Sequence, residues 1–112
     1  MATVYRLTDF RRRRDVVSFT RQELNLLLSV YSRRVISGVW KAYAIDHERG
    51  MARFSIFANA HAQPLFTVVK FAAPSRRARK YVVLKGANKV AESDMLAQAL
   101  AYFGRDLKVV SS

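Results

Sequence analysis

The stretch FTRQELNLLLSVYSRRVISGVWKAYAID, residues 19–46, contains a change of hydrophobic period that decides the fold. Its first half repeats apolar side chains at the spacing of one helix face, at Leu24, Leu27, Leu28, Tyr31 and Val35. Thr20 and Glu23 stand three residues apart as a capping box, and Gly38 offers a stop signal. The pattern therefore predicts a helix over residues 21–37.

Beyond Gly38 the apolar period changes to two, which is typical of strands. Four strands are predicted, at residues 40–46, 51–58, 65–72 and 81–85. Ser93 can cap a second helix over residues 94–103 with Gly104 as its stop, and LKVV at 107–110 is a candidate for a short final strand. The sequence thus predicts an α+β fold, an antiparallel four-stranded meander flanked by an N-terminal and a C-terminal helix that cover one face.

Charge distinguishes this chain from an ordinary globular protein. The 112 residues include 20 Lys+Arg and 8 Asp+Glu, for a formal net charge of +12, and no cysteine. A hydrophobic fraction of 51% allows a packed core, so residues 19–112 are predicted to form one domain behind a basic arm at residues 1–18. The lack of cysteine excludes disulfides, thiolate metal sites and thiol nucleophiles, and no cofactor is expected. Without a bilayer-length apolar run or a signal-peptide pattern, a cytoplasmic location is expected.

The positive charge is concentrated in two basic runs and one segment without acids. Between Arg49 and Ala91 there is no Asp or Glu, although nine basic residues lie there. Surfaces ordinarily mix both signs, so this segment predicts a strongly positive face or edge. Such a charge attracts polyanions, and the excess of arginine over lysine favours phosphate recognition. The predicted nucleic-acid-binding residues are Arg11, Arg12, Arg13, Arg14, Arg76, Arg77, Arg79, Lys80, Lys85 and Lys89.

Support for catalysis is weak. The candidates for a metal or acid–base cluster are Asp46, His47 and Glu48, with His61 one hairpin away. Neighbouring residues of a strand point to opposite faces, so Asp46 and His47 are not expected to converge on one ion. Asp46 is also placed to pair with Arg33 or Arg34 at the end of the first helix. An ordinary polar turn is the favoured interpretation, and no enzyme activity is expected.

Seven aromatic residues in the strand region have two interpretations: Trp40, Tyr43, Phe54, Phe57, Phe66, Phe71 and Tyr81. They could form a stacking platform for bases, or they could belong to the core or a dimer contact. The absence of an RNP-like basic-aromatic motif favours core or dimer. Both faces of the central strands are partly apolar, so the second face is predicted to meet a helix, another subunit or a ligand.

The central part of the chain, roughly residues 19–85, resembles DUF2794, a family of small uncharacterised alphaproteobacterial proteins. The family has motifs of the type F-x-R-x-E-L-x-x-I-L-x-x-Y-G-R, G-x-W-R-D-Y-A-I-D, A-x-F-S-x-F and P-L-Y-x-I-x-K. The matching positions are Phe19, Arg21, Glu23, Leu24, Leu28, Tyr31, Arg33, Gly38, Trp40, Tyr43, Ala44, Ile45, Asp46, Phe54, Ser55, Phe57, Pro64, Leu65 and Lys70. Ser32 and Ala42 depart from the pattern, where the family has glycine and an acid. The resemblance implies a bacterial, cytoplasmic single domain and carries no known activity.

These observations predict a cytoplasmic nucleic-acid-binding protein of an accessory or regulatory kind. It would contact phosphates through the basic residues named above, with DNA favoured over RNA, as a homodimer and without a membrane partner. The alternative is a non-catalytic protein-interaction module, a small subunit that docks on a larger assembly through an apolar sheet face. An enzyme is the third hypothesis and would require His47 or His61 to be essential.

Overall fold

A computed structural model describes residues 16–59, 63–72 and 79–111, of which 105–111 are described as backbone only. The described elements are α1 (Arg21–Ile36), β1 (Ala42–Glu48), β2 (Met51–Phe57), β3 (Phe66–Phe71), β4 (Tyr81–Lys85), β5 (Asn88–Ser93) and α2 (Leu96–Ser111). The five strands pair antiparallel in chain order, so β1 and β5 are the edge strands. The predicted α+β meander with two flanking helices is confirmed, and the sheet has a fifth strand.

The first helix begins at the predicted capping box. The Thr20 hydroxyl accepts a hydrogen bond from the Glu23 N–H at 3.1 Å, and the Glu23 carboxylate accepts one from the Thr20 N–H at 2.7 Å. The helix ends at Ile36, one residue before the predicted end. Gly38 follows with φ +83°, and its N–H donates to the carbonyl of Val35 at 2.9 Å. A glycine in the left-handed region thus satisfies a carbonyl at the helix end.

The sequence predictions for the last third of the chain are partly wrong. Asn88–Ser93 form the strand β5, where only a turn before the second helix is predicted. A register irregularity between Val83 and Leu84 interrupts the alternation that identifies a strand. The helix α2 continues through Gly104 to Ser111, so residues 107–110 are helical rather than a final strand. Glycine lowers helix stability without ending a helix that packing supports.

Both helices pack on the same face of the sheet and enclose the core. Tyr31 of α1 contacts Tyr43 of β1, with ring centroids 4.9 Å apart, and Phe103 of α2 contacts Phe66 of β3 at 4.9 Å. Four of the seven aromatic residues named above are buried in this core: Trp40, Phe54, Phe66 and Tyr81. Their assignment to the core, rather than to a stacking platform, is confirmed.

The opposite face of the sheet has an apolar centre that is largely out of water. The register places Ser55, Val69 and Val82 on this face, and they are 8%, 5% and 6% exposed. Phe57 and Phe71 on the same face are half-buried. The large exposed apolar side chains of the described residues are found mainly elsewhere, near the end of α1 and on β1.

Replacement of Gly50 by alanine is expected to lower the free energy of unfolding by about 1 kcal/mol. Gly50 lies in the turn between β1 and β2 with φ +87°, and an added Cβ would meet nothing within 4 Å. The cost is therefore conformational and not steric. The matched control is Gly104→Ala in α2, where the added Cβ also meets nothing within 4 Å and the backbone is not left-handed. Alanine should stabilise that position by about 0.5–1 kcal/mol.

Denaturant unfolding of the two variants measures the difference. A stabilised Gly50→Ala variant would contradict the left-handed turn, and a destabilised Gly104→Ala variant would contradict the continuation of α2.

Candidate interaction surface

The two ends of the sheet differ in charge. We call one the mixed-charge end, defined by Glu48, Met51, Phe71, Tyr81 and Ser93. We call the other the basic end, defined by Ala42, Phe57, Phe66, Lys85 and Asn88. The described carboxylate side chains all lie towards the mixed-charge end: Glu23, Asp46, Glu48, Glu92 and Asp94.

Glu23 is the centre of a polar network at the mixed-charge end. Its carboxylate accepts hydrogen bonds from the Lys70 Nζ at 2.8 Å and from the Tyr81 hydroxyl. The Lys70 Nζ also donates to the carbonyl of Ser18 at 2.7 Å. The side chains of Glu23 and Lys70 are each only 12% exposed. The network therefore fastens the start of α1 to β3 and β4.

The surroundings of Glu23 shift two pKa values in opposite directions. Burial acts to raise the pKa of Glu23, but the hydrogen bonds from Lys70, Tyr81 and Thr20 outweigh it and lower that pKa below its ordinary value. The pKa of Tyr81 is raised, first by burial and then by the hydrogen bond to Glu23. Glu23 and Lys70 are 47 positions apart in the chain, so no local pattern could have paired them.

Arg79 and Lys80, two of the predicted nucleic-acid-binding residues, lie at the mixed-charge end beside Asp94. The Arg79 guanidinium is 3.1 Å from the Asp94 carboxylate, which also accepts the Lys80 N–H at 3.0 Å. The Lys80 Nζ lies 5.7 Å from the centre of the Tyr81 ring. The Lys80 N–H, and then Arg79, hold the pKa of Asp94 below its ordinary value. An acid from just beyond the acid-free segment thus offsets the charge of these residues.

The other predicted residues are spread over the molecule. Lys89 pairs with Glu92 at 3.1 Å on the edge strand β5. Lys85 lies at the basic end, about 13 Å along β4 from Tyr81 at a strand rise of about 3.3 Å per residue. The remaining predicted residues lie outside the described residues: Arg11, Arg12, Arg13, Arg14, Arg76 and Arg77. The structure therefore brings Arg79 and Lys80 together and separates them from Lys85.

The basic end carries exposed cations. Arg33, Lys41 and Lys85 are exposed, and none of the described carboxylates lies within ion-pair distance of them. The Lys41 N–H donates to the carbonyl of Phe57 at 2.8 Å, which fixes Lys41 at the same end of the sheet as Lys85. No sequence pattern distinguishes Lys41, because a lone lysine before a strand resembles any solvated residue.

Exposed apolar side chains accompany these cations. Ile36 is 86% exposed, Val39 41% and Tyr43 44%. All three lie in the stretch from the last residue of α1 to the second residue of β1. Within the part of the chain that the structure describes, the basic end thus combines cations that have no acidic partner with accessible apolar surface, a composition suited to binding.

A match to a family model covers the residues that form this fold. A family model described as "Protein of unknown function (DUF2794)" matches residues 17–98. The chain belongs to this family. The matched residues of this DUF2794 protein include α1, all five strands and the start of α2. Searches of curated proteins and of solved structures find no match.

The described histidine and carboxylate candidates for a metal or acid–base cluster do not lie together at one site in the DUF2794 chain. Asp46 lies 3.9 Å from Arg53, which also pairs with Glu48 on the face opposite the helices. The predicted pairing of Asp46 with Arg33 or Arg34 is therefore wrong, because α1 covers the other face. His47 lies on the helix face, with its ring centroid 6.4 Å from that of Phe19.

Metal-binding groups and membrane-spanning helices are both absent from the described residues of this DUF2794 protein. The candidate His61 lies outside the described residues. In the part of the chain that the structure describes, no three His, Cys, Asp or Glu residues group as metal ligands. Neither of the described helices combines the length and the apolar content that a bilayer crossing requires.

Proposed function

We propose that this DUF2794 protein is a non-catalytic nucleic-acid-binding protein, of an accessory or regulatory kind, whose basic end contacts phosphates. The observation that carries the proposal is the uneven distribution of charge. Arg33, Lys41 and Lys85 are exposed at an end that lacks described carboxylates, whereas Arg79 and Lys89 are paired with acids. The formal charge of +12 adds long-range attraction to any polyanion.

The spacing of Lys41 and Lys85 is compatible with the dimensions of duplex DNA. Lys41 precedes β1 and Lys85 ends β4, so three strand spacings of about 4.8 Å separate them by about 14 Å. The major groove of B-DNA is about 12 Å wide. Two flexible lysine side chains at this separation can reach phosphates on both sides of the groove. Such contacts position a protein on DNA without reading the base sequence.

The double variant Lys41→Gln/Lys85→Gln is expected to bind duplex DNA with a weaker salt dependence. Each lost phosphate contact lowers the slope of log K against log salt concentration by about 0.9, so two contacts lower it by about 2. Anisotropy titrations of a labelled duplex from about 50 to about 200 mM salt measure the slope. Duplex and single-stranded RNA titrated in parallel test the preference for DNA.

The matched control is Arg79→Gln/Lys80→Gln at the mixed-charge end. Both double variants remove two positive charges and leave a formal charge of +10, because +12 minus 2 is +10. Both control residues lie beside Asp94, at the opposite end of the sheet from Lys85, so a smaller change of slope is expected. Equal losses in the two variants would show that affinity follows net charge and not the basic end. No binding of the wild-type chain at about 50 mM salt would contradict the proposed function itself.

The N-terminal arginines are tested separately. Replacement of Arg11, Arg12, Arg13 and Arg14 by glutamine is expected to lower the slope further if these residues act as a basic arm. An unchanged slope would assign them to solvated surface.

A second candidate function is docking on a larger assembly. The observation that favours it is the exposed apolar surface around Ile36, which is 86% exposed. A partner that survives nuclease and high salt in pull-downs, and is lost with Ile36→Ser, would support docking. A partner that disappears with nuclease treatment would support nucleic-acid binding.

A further inference from the structure

Tyr43 is an aromatic residue that the core holds in place without covering. Of the described Phe, Tyr and Trp residues, only Tyr43 is exposed, at 44%, and it lies on the edge strand β1. Its ring is nearly parallel to that of Phe54 on β2, with an interplanar angle of 10° and centroids 5.1 Å apart. Phe54 is fully buried, so it fixes the plane of the Tyr43 ring. The core therefore sets the orientation of an exposed ring.

The face of the Tyr43 ring that points away from Phe54 carries no other aromatic ring of the described residues. Tyr31 of α1 is the second described ring in contact with Tyr43, at an interplanar angle of 76°. The Tyr31 centroid lies 4.9 Å from that of Tyr43 and 6.3 Å from that of Phe54. Rings on opposite faces of Tyr43 would be separated by nearly the sum of their distances to it, which is much more than 6.3 Å. Tyr31 therefore lies beside the Tyr43 ring and leaves its outer face accessible.

Two cations lie near this ring on the same face of the sheet. Lys41 stands two residues before Tyr43, and side chains two positions apart on an extended chain point to the same face. At a rise of about 3.3 Å per residue, their Cα atoms are about 7 Å apart. Lys85 stands in the same row of paired residues as Tyr43, three strands away. The ion pairs of the described residues include neither lysine.

An accessible ring beside a lysine matches the chemistry of a nucleic-acid strand. Aromatic side chains stack on the flat faces of bases, and one stacked base strengthens binding by about fivefold or more. Each base is attached to a negatively charged phosphate, which a lysine can neutralise. Bases inside a duplex are stacked on one another, so a protein ring can stack only on an unpaired base.

The charge of the chain favours this ligand over others. The formal charge of +12 attracts polyanions, and the described carboxylates lie away from the basic end. Among polyanions, a nucleic acid presents a flat ring beside every phosphate, whereas an anionic lipid surface presents charge without such rings. A ligand that satisfies both Tyr43 and Lys41 is therefore a nucleic acid with an accessible base.

We propose that Tyr43 stacks on an unpaired base of the bound nucleic acid while Lys41 contacts an adjacent phosphate. The inference rests on the proposed function and narrows its ligand to nucleic acid that carries a single-stranded segment. Lys85 stays available for phosphates farther along the same surface. Stacking accepts every base, so no sequence preference is expected.

Two overhangs of equal charge test the proposal with the full-length chain. One labelled duplex carries a short single-stranded overhang with ordinary bases, and the other carries an abasic overhang of the same length, which keeps the phosphates. Anisotropy titrations are expected to show at least about fivefold tighter binding of the overhang that has bases. The salt slopes should be equal, because the phosphate contacts are the same. Equal affinities for the two overhangs would overturn the inference.

Variants of Tyr43 test whether this residue provides the stacking surface. Tyr43→Leu keeps an apolar side chain against Phe54 and Tyr31 but has no ring, so the preference for the overhang with bases should disappear. Tyr43→Phe keeps the ring and should keep the preference. Phe71→Leu is the control for loss of an aromatic side chain, because Phe71 lies at the mixed-charge end, and it should also keep the preference. A preference that persists in Tyr43→Leu would overturn the assignment.

Ultraviolet crosslinking of the wild-type chain gives a result that does not depend on the folding of any variant. With bromouracil in the overhang, mass spectrometry is expected to find the adduct on Tyr43, and an adduct confined to other residues would overturn the inference.

A blunt duplex separates this inference from the proposed function. If the wild-type chain binds the blunt duplex with a steep salt dependence but does not distinguish the two overhangs, phosphate binding stands and stacking on Tyr43 is overturned. Absence of binding to every one of these nucleic acids would overturn both.

Discussion

Replacement of Glu23 by glutamine is expected to lower the free energy of unfolding by about 3 kcal/mol. The Lys70 ammonium would remain charged at a site where its side chain is 12% exposed, without the carboxylate that now lies 2.8 Å away. Glutamine at this position can still accept the Thr20 N–H, so the capping box is kept and the loss reports the network. Urea unfolding at neutral pH measures the change.

A second variant separates the ion pair from packing. The double variant Glu23→Gln/Lys70→Met removes both charges, so no unpaired ion remains near β3 and β4. It is expected to be more stable than Glu23→Gln alone, because replacing both partners avoids the cost of an unpaired charge. Strictly additive losses from the two single variants would contradict a coupled pair.

The same network predicts how stability depends on pH. The folded protein holds the pKa of Glu23 below its ordinary value of 4.5, so this contribution is complete above pH 4.5 and is lost as the pH falls through the lowered pKa. The pKa of Tyr81 is raised above its ordinary value of 10.0, so its contribution is complete below pH 10.0 and is lost at more alkaline pH. Between pH 5 and pH 3, approximately, the wild-type chain should lose more stability than Glu23→Gln. If the wild-type chain and Glu23→Gln lost the same stability over this pH range, the assignment of the acid dependence to Glu23 would be contradicted.

Replacement of Trp40 by alanine is expected to lower the free energy of unfolding by about 4 kcal/mol. Trp40 is 1% exposed and lies where α1, α2 and the sheet meet. Its ring centroid is 6.0 Å from that of Tyr31, 6.0 Å from Phe66 and 5.3 Å from Phe103. Loss of the indole would leave a cavity bordered by all three elements. Unfolding followed by circular dichroism measures the loss.

The control for this variant is Trp40→Phe, which keeps a ring at the same position. The buried Trp40 Nε1 has no hydrogen-bond partner among the described residues, so its removal leaves no described acceptor without a donor. A cost of less than about 1.5 kcal/mol is therefore expected. Trp40 is the only tryptophan, so its fluorescence in the wild-type chain reports directly on this junction during unfolding. If Trp40→Ala costs no more than Trp40→Phe, the indole is not the centre of the core.

Much of the fold could be predicted because it depends on local patterns. The capping box of Thr20 and Glu23 marks the start of α1, and the alternation in β2 and β3 marks both strands within one residue. β5 escapes prediction because a register irregularity and a mixture of small and polar residues remove the alternation. Gly104 resembles a helix stop, yet α2 passes through it.

The candidate site was less predictable, because the net charge of a surface depends on residues that are neighbours in space and not in the chain. Arg79 and Lys89 belong to a segment that looks purely basic, but Asp94 and Glu92 from its border pair with them. Lys41 and Lys85 are 44 positions apart in the chain, and only the strand register places both at one end of the sheet. Composition alone can therefore predict attraction to polyanions but not the surface that provides it.

The sequence by itself determined the capped first helix, the antiparallel meander and the large positive charge. These follow from residue spacing and composition, which act over a few neighbouring positions or over the chain as a sum. The tertiary structure alone decided that Glu23 meets Lys70 and Tyr81, that the described carboxylates gather at one end, and that β1 and β5 are the edge strands. Each of these depends on strand order and register, which bring together residues that lie far apart in the chain.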